Sequence, residues 1–139
     1  MTIRVLLADD EQMVRAGFRL ILESEPDIEV VGEAGNGTEA VALTRELDPD
    51  VVLMDVQMPE MDGLETTRRL RAEAQASMRP EPPVVALTAY AMPGDREKFL
   101  AAGMNGYLAK PLRLEALQNL LAEVVAEGGN FLDSPPANM

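Results

Sequence analysis

Residues 51–59, VVLMDVQMP, decide how this chain is read. Val51 to Met54 run without polar interruption straight into Asp55. Such a run reads as a strand buried on both faces, the pattern of a parallel sheet covered by helices. A carboxylate at its end is costly to leave charged unless something offsets it. The same design recurs on either side. IRVLLADD (3–10) ends in Asp9-Asp10, PVVALTA (83–89) ends in Thr88-Ala89, and GYLAKP (106–111) carries Lys110 before Pro111. In an open parallel sheet, ligands bind outside the carboxyl ends of the strands. These runs bring Asp9, Asp10, Asp55, Thr88 and Lys110 to one rim, a set suited to a divalent cation and a phosphoryl group.

Helical spacing fills the intervals between strands. A first helix is expected over 11–24, with Val14, Phe18, Ile21 and Leu22 on one stripe. A second strand at 28–33 and a Gly-Asn-Gly turn lead to a helix over 38–47, with Thr38 as its N-cap. The third helix starts near Gly63 and turns Leu64, Thr67, Leu70 and Ala74 inward; 75–83 (QASMRPEPP) reads as a proline-rich loop. The fourth helix is expected from Pro93, a favoured first position, to Gly103, a C-terminal cap. The last, over 113–126, places Leu114, Leu117, Leu121, Val124 and Val125 inward. This alternation predicts parallel βαβ units with right-handed crossovers. Residues 1–126 are expected to form one domain and 127–139 a flexible tail or linker stub, either of a single-domain protein or of a piece of a longer one.

Composition narrows the function. The 139 residues include 24 acidic and 12 basic side chains, a formal net charge of −12, which argues against nucleic-acid binding by this domain. Histidine and cysteine are absent, which removes His-based acid–base catalysis, thiol chemistry and the common zinc sites. No apolar run approaches the roughly 18 residues of a membrane span, and the N-terminus has no signal-peptide pattern. A cytoplasmic location and no membrane partner are therefore expected. Arg68, Arg69 and Arg71 read as a solvated helix face, and the nine methionines as gap-fillers.

Charge repulsion gives the rim its meaning. Two carboxylates about 5 Å apart repel by roughly 3 kcal/mol at an effective dielectric near 20. Three on one rim call for a hard cation with oxygen ligands, and Mg²⁺ takes one or two carboxylates together with waters and a phosphate. Lys110 supplies a positive charge, held in extended geometry by the proline that follows. Thr88 and the amide of Ala89 add donors of the type that stabilise a transferring phosphoryl group.

Asp9-Asp10, LMDVQMPEMDGLE (53–65), ALTA (86–89) and GYLAKP, in this order and spacing, resemble the response-regulator receiver domain of two-component signalling. The resemblance runs from about residue 3 to 126. It implies an α/β, flavodoxin-like (βα)5 fold with parallel strands in the order 2-1-3-4-5. It implies that Asp55 is the phosphoacceptor for a phosphohistidine on a histidine kinase or phosphotransfer protein. Asp10, Asp55 and the backbone carbonyl of Gln57 correspond to ligands for Mg²⁺ (or Mn²⁺), with Asp9 acting through water. Lys110, Thr88 and the Ala89 amide correspond to phosphoryl-binding groups, and Tyr107 to the switch aromatic that turns inward as Thr88 moves. Gln57 and Tyr90 stand where acyl-phosphate hydrolysis is tuned, and Pro111 follows a cis peptide in the family. The signalling surface is then the fourth helix, fifth strand and fifth helix, which contacts a downstream protein or output domain, or a second copy.

The two halves lean toward different branches of that family. VRAGFRLILESEPDIEVVGEAGNGTEAV resembles receivers of helix-turn-helix transcription regulators, and ALTAYAMPGDREKFLAAGMNGYLAKPL resembles receivers of hybrid sensor kinases. A natural intermediate is the simpler reading, and a mosaic chain the alternative. Two other classes use similar parts. A haloacid-dehalogenase-type phosphatase also has a strand-end Asp nucleophile, Thr/Ser, Lys and Mg²⁺, but carries an acid–base Asp where Gln57 stands here. An FMN-binding flavodoxin needs a phosphate cradle, whereas the first turn here, ADDEQ, is acidic.

Overall fold

The computed structural model describes residues 2–89, 92–110 and 113–127. In these, strands and helices alternate as β1 (Ile3–Ala8), α1 (Gln12–Glu23), β2 (Ile28–Ala34), α2 (Gly37–Leu47), β3 (Val51–Asp55), α3 (Gly63–Ser77), β4 (Val84–Thr88), α4 (Asp95–Ala102), β5 (Gly106–Ala109) and α5 (Leu114–Glu127). Every neighbouring pair of strands is parallel, in the order β2-β1-β3-β4-β5. This is the flavodoxin-like arrangement expected of the sequence.

The unbroken apolar runs are explained by a core on each side of the sheet. Successive side chains of a strand point to opposite faces. On one face Val5, Leu7, Val51, Leu53, Val85 and Leu87 meet Phe18 and Leu22 of α1 and Leu117, Leu120 and Leu121 of α5. On the other, Leu6, Ala8, Val52, Met54, Val84 and Ala86 meet Ala40 of α2, Leu70 of α3 and Phe99 of α4. No face of β3 is left for water, so all five of its residues are buried, Asp55 included.

Helix ends differ from expectation in instructive ways. Asn36, not Thr38, caps α2: its side chain accepts from the Glu39 N–H at 2.8 Å, so the helix begins at Gly37. Helix α4 begins at Asp95 rather than Pro93, because Gly94 adopts a left-handed φ of 92° that cannot continue a helix. A backbone bond from Asp95 N to Met92 O (3.0 Å) and a return bond from Met92 N to the Asp95 carboxylate (2.8 Å) close that turn. Gly103 does end α4 in a left-handed conformation (φ 96°), with Met104 N reaching Phe99 O at 2.9 Å and Gly103 N reaching Leu100 O at 3.0 Å. Helix α3 continues through Ser77, which shortens the proline-rich loop. Thr66 joins Thr67 as fully buried, each hydroxyl donating 2.7 Å back to a carbonyl one turn earlier, Asp62 O and Gly63 O.

The arginine cluster divides in two. Arg68 and Arg69 are exposed and pair loosely with Glu65. Arg71 instead turns inward and ties three segments together. Its guanidinium donates to Gly103 O (2.9 and 2.7 Å), Pro82 O (2.7 Å) and Asn105 Oδ1 (2.7 Å). Asn105 Oδ1 also accepts from Val84 N at 2.9 Å, at the start of β4. Replacing Arg71 with Met keeps the stem but leaves these acceptors without their donor. We expect a loss of about 2–3 kcal/mol, read as a lower urea midpoint at unchanged m-value, whereas Arg69→Met stays within about 0.5 kcal/mol of wild type.

Candidate functional site

The carboxyl ends of β1, β3, β4 and β5 meet at one edge, and the predicted rim residues lie there. Asp9, just past β1, is fully buried. Its N–H donates to Ala34 O on β2 (3.0 Å) and its Oδ1 accepts from Glu11 N (2.9 Å), which turns the chain into α1. Asp10 follows and is exposed. Asp55 closes β3 with 6% exposure, and its Oδ1 accepts from the N–H of Gln57 at 3.3 Å.

The loop after Asp55 is folded back tightly. Val56 N donates to Leu87 O on β4 (3.0 Å), and Gly63 N donates to Val56 O (2.9 Å). A Cβ on Gly63 would run into the carbonyl oxygen of Asp55 and stand 3.0 Å from Val56 Cα, so only glycine fits where α3 passes behind the acid. Met58 is buried beneath the loop, and Glu60 holds a left-handed φ of 68°. Asp62 then caps α3 by accepting from Glu65 N at 2.8 Å.

Lys110 joins the two acids. Its N–H donates to Thr88 O at 2.8 Å, continuing the β4–β5 ladder one step beyond the Thr88–Ala109 pair. Its ammonium then lies 3.2 Å from Asp9 Oδ2 and 3.2 Å from Asp55 Oδ1. The ring of Phe18 on α1 sits 5.8 Å from Nζ. Oxygen atoms of Asp9, Asp10 and Asp55 all lie within 4.8 Å of one another.

Burial pushes the Asp55 carboxyl above its ordinary range, and the neighbouring Asp9 charge adds to this. Lys110 and the Gln57 N–H pull the other way without cancelling it. For Lys110, burial lowers the ammonium, but Asp55 and Asp9 together overcome that and leave it raised. The site thus holds an excess of negative charge that its own lysine does not fully balance. A hard divalent cation fits this donor set: carboxylate oxygens on converging strand ends, close enough to share one ion, with an electrostatic cost that the ion would relieve. Among the described residues, Asp9, Asp10 and Asp55 form a group that could hold it.

The other predicted residues lie around this corner. Thr88 is buried at the end of β4, whereas Ala89 and Gln57 are exposed at the rim. Tyr107 is half-buried on β5, with its ring tilted 52° against Phe99 of α4 at 5.7 Å. Tyr90 and Pro111 lie outside the described residues. Sequence reasoning missed the supports: Gly63 behind Asp55, Phe18 under Lys110 and Arg15 on the Asp9 carbonyl. Only Gly63 had a legible sign, the Asp-Gly step opening a helix.

A single edge of a flavodoxin-like sheet carrying paired acids, a strand-end Asp and a bridging lysine defines a receiver-type domain. Residues 5–122 match the family model of the response regulator receiver domain, and the chain belongs to that family. It is 44% identical over 108 residues to the transcriptional regulatory protein LiaR of Bacillus subtilis (strain 168), covering 78% of this chain and 49% of that protein. This chain therefore spans about half the length of the curated relatives it matches. Among solved structures it resembles a LuxR-family two-component response regulator from Aurantimonas sp. SI85-9A1 (TM-score 0.77, 30% identity, 96% of this chain and 97% of that one). It also resembles the receiver domain of sensor histidine kinase PA1611 from Pseudomonas aeruginosa PAO1, solved with a magnesium ion in its active site cleft (TM-score 0.76, 33% identity, 91% and 99%).

The raised Asp55 carboxyl has a consequence for stability. A carboxyl whose folded value lies above its unfolded one loses stability as pH rises through that folded value. Asn at the same place keeps an acceptor for Lys110 and Gln57 without the charge. In metal-free buffer at pH 7, Asp55→Asn is expected to be more stable than wild type, by about 1 kcal/mol. The gain should fade as pH drops toward the ordinary aspartate value of 3.8. Urea unfolding of both proteins at pH 7 and pH 4 measures it; a less stable Asn protein at pH 7 would contradict the electrostatic account.

Proposed function

We propose that this receiver takes a phosphoryl group from a phosphohistidine of a histidine kinase or phosphotransfer protein onto Asp55, in a Mg²⁺-dependent reaction that Mn²⁺ also supports. One observation carries the reading: Asp55 stands buried at a strand end with Lys110 Nζ at 3.2 Å and two further carboxylates within 4.8 Å. Burial and the Asp9 charge make that carboxylate costly to keep, a cost that the proposed chemistry would explain.

The step forms a bond between an Asp55 carboxylate oxygen and phosphorus as the phosphorus–nitrogen bond to the imidazole breaks. The imidazole keeps the electron pair and is protonated by solvent. The Gln57 N–H and the Lys110 ammonium, both on Asp55 Oδ1, orient the carboxylate for attack. Lys110 then has a phosphoryl oxygen to bind, and Thr88 and the Ala89 N–H supply donors from the adjacent strand end. When bound, the divalent cation, held by Asp10, Asp55 and the Gln57 carbonyl with Asp9 behind them, offsets charge on the phosphoryl oxygens. Gln57, exposed at the rim, stands where it can influence attack by water.

Signalling follows from where the new anion sits. Drawing Thr88 and Lys110 toward Asp55 moves the ends of β4 and β5. Tyr107, half-buried against Phe99, would then fill the space left behind Thr88. The surface of α4, β5 and α5 would then change and select a downstream protein, an output domain or a second copy. We place any nucleic-acid binding outside this domain, because a net charge of −12 repels the phosphate backbone. The domain consumes its phosphodonor once per cycle and is a phosphoacceptor rather than an enzyme acting on an external substrate. It is expected to work in the cytoplasm.

Intact-mass spectrometry after incubation with acetyl phosphate tests the assignment. Wild type is expected to gain one phosphoryl group only when Mg²⁺ is present, and Asp55→Asn none. Labelling of folded Asp55→Asn at another residue would refute Asp55 as acceptor. A folded wild type that gains nothing would mean the acidic corner serves binding alone.

A further inference from the structure

Asp9 is held on every side, and one of its bonds leads away from the rim. Its main-chain carbonyl accepts from Arg15 Nη1 at 2.6 Å, from the second turn of α1. The same guanidinium donates through Nε to Glu33 Oε1 at 3.1 Å, near the end of β2. Glu33 Oε2 accepts in turn from Arg19 Nη1 at 2.5 Å, and Arg19 Nε reaches Glu23 at 3.2 Å. A row of paired charges therefore runs along α1 and ends on the peptide that joins Asp9 to Asp10.

That ending is chemically specific. The Asp9 carbonyl belongs to the 9–10 peptide plane, so fixing its direction fixes the direction in which the backbone enters Asp10. Asp9 is locked at its N–H by Ala34 and at its carboxylate by Glu11 N and Lys110. Asp10 is exposed and takes its bearing from this peptide. Arg15 is the longer lever: its side chain is 17% exposed, pinned by Glu33, and needs both ends of its fork. A lysine could reach one acceptor but not hold both in one plane.

We propose that Arg15 is a positioning residue for the divalent-cation site, clamping the 9–10 peptide so that Asp10 faces Asp55, with Glu33 as the anchor of the clamp. This rests on the cation reading given above. Residues that orient metal ligands typically hold about 10–100-fold in affinity. The clamp should therefore act on Mg²⁺ affinity and not on the phosphoryl step once Mg²⁺ saturates.

Calorimetric titration with Mg²⁺ tests this on wild type, Asp10→Asn, Arg15→Met, Arg15→Lys, Glu33→Gln and Arg19→Met, each checked for folding by circular dichroism. Arg15→Met is expected to weaken binding about 10-fold, with Arg15→Lys and Glu33→Gln falling between it and wild type. At saturating Mg²⁺ its labelling rate with acetyl phosphate should return to that of wild type. Arg19→Met breaks the same row without touching the Asp9 carbonyl and should lower thermal stability while leaving Mg²⁺ affinity unchanged. Wild-type affinity in Arg15→Met, or in Arg15→Lys and Glu33→Gln should Arg15→Met fail to fold, overturns the clamp. Equal weakening by Arg19→Met overturns it as well, in favour of a general loosening of α1. The cation reading fails separately, and the clamp with it, if folded wild type binds no Mg²⁺ or if Asp10→Asn binds as well as wild type.

Discussion

The ammonium of Lys110, placed 3.2 Å from both Asp9 and Asp55, is the contact on which the site depends. Neighbouring strands stand about 4.8 Å apart, so β5 lies roughly 10 Å from β3 with β4 between them. A short cation on β5 could not cross that gap; the four-carbon stem of lysine does. The stem needs support on the way, and Phe18, which belongs to the core between α1 and the sheet, lies under it. Sheet order, the length of one side chain and the packing of α1 thus converge on a single nitrogen.

Buried ion pairs contribute little net stability, because desolvation consumes much of the attraction. Here the balance is also uneven, since Asp55 stays raised despite its lysine. The corner therefore holds unfavourable energy that anything positive, or a neutralised acceptor, relieves. Under the proposed function such a site would respond to a cation or to modification of Asp55, and a better-balanced one would be more stable and less responsive. The surrounding structure bears this cost. Gly63 permits α3 to press against the Asp55 backbone, Met58 pins the returning loop, and Glu60 accepts a left-handed conformation within it.

The strands, their parallel sense and the acids at their ends were legible because each is written in consecutive residues. VVLMD reads as a two-sided buried strand, and the structure buries all five of its residues with Asp55 at the rim. Helix ends were less legible where two candidates sat side by side. Asn36 and Thr38 both suit an N-cap, and the choice fell to Asn36, whose side chain reaches Glu39 N. Pro93 suits a first helical position, yet Gly94 spends its conformational freedom on a turn and delays α4 to Asp95. Arg71 and Arg15 were opaque for a different reason. Both look like surface arginines in a helical pattern, and only tertiary structure brings carbonyls such as Gly103 O and Asp9 O within their reach.

The hold on α4 bears on the signalling proposed for its surface. Its C-terminal end is fixed twice, by the left-handed closure at Gly103 and by the Arg71 fork on the carbonyl of that same glycine. Its N-terminal end follows the strand that carries Thr88 and starts from a glycine with φ 92°, its turn closed locally by Asp95 on Met92. Under the proposed switch, a pull at the near end of this helix would be resisted at its far end. The pull would come from β4, whose Thr88 carbonyl is already bonded to the backbone of Lys110. Under the proposed function, charge at Asp55 would then act on two adjacent strand ends at once, with α4 the helix that joins them in the chain.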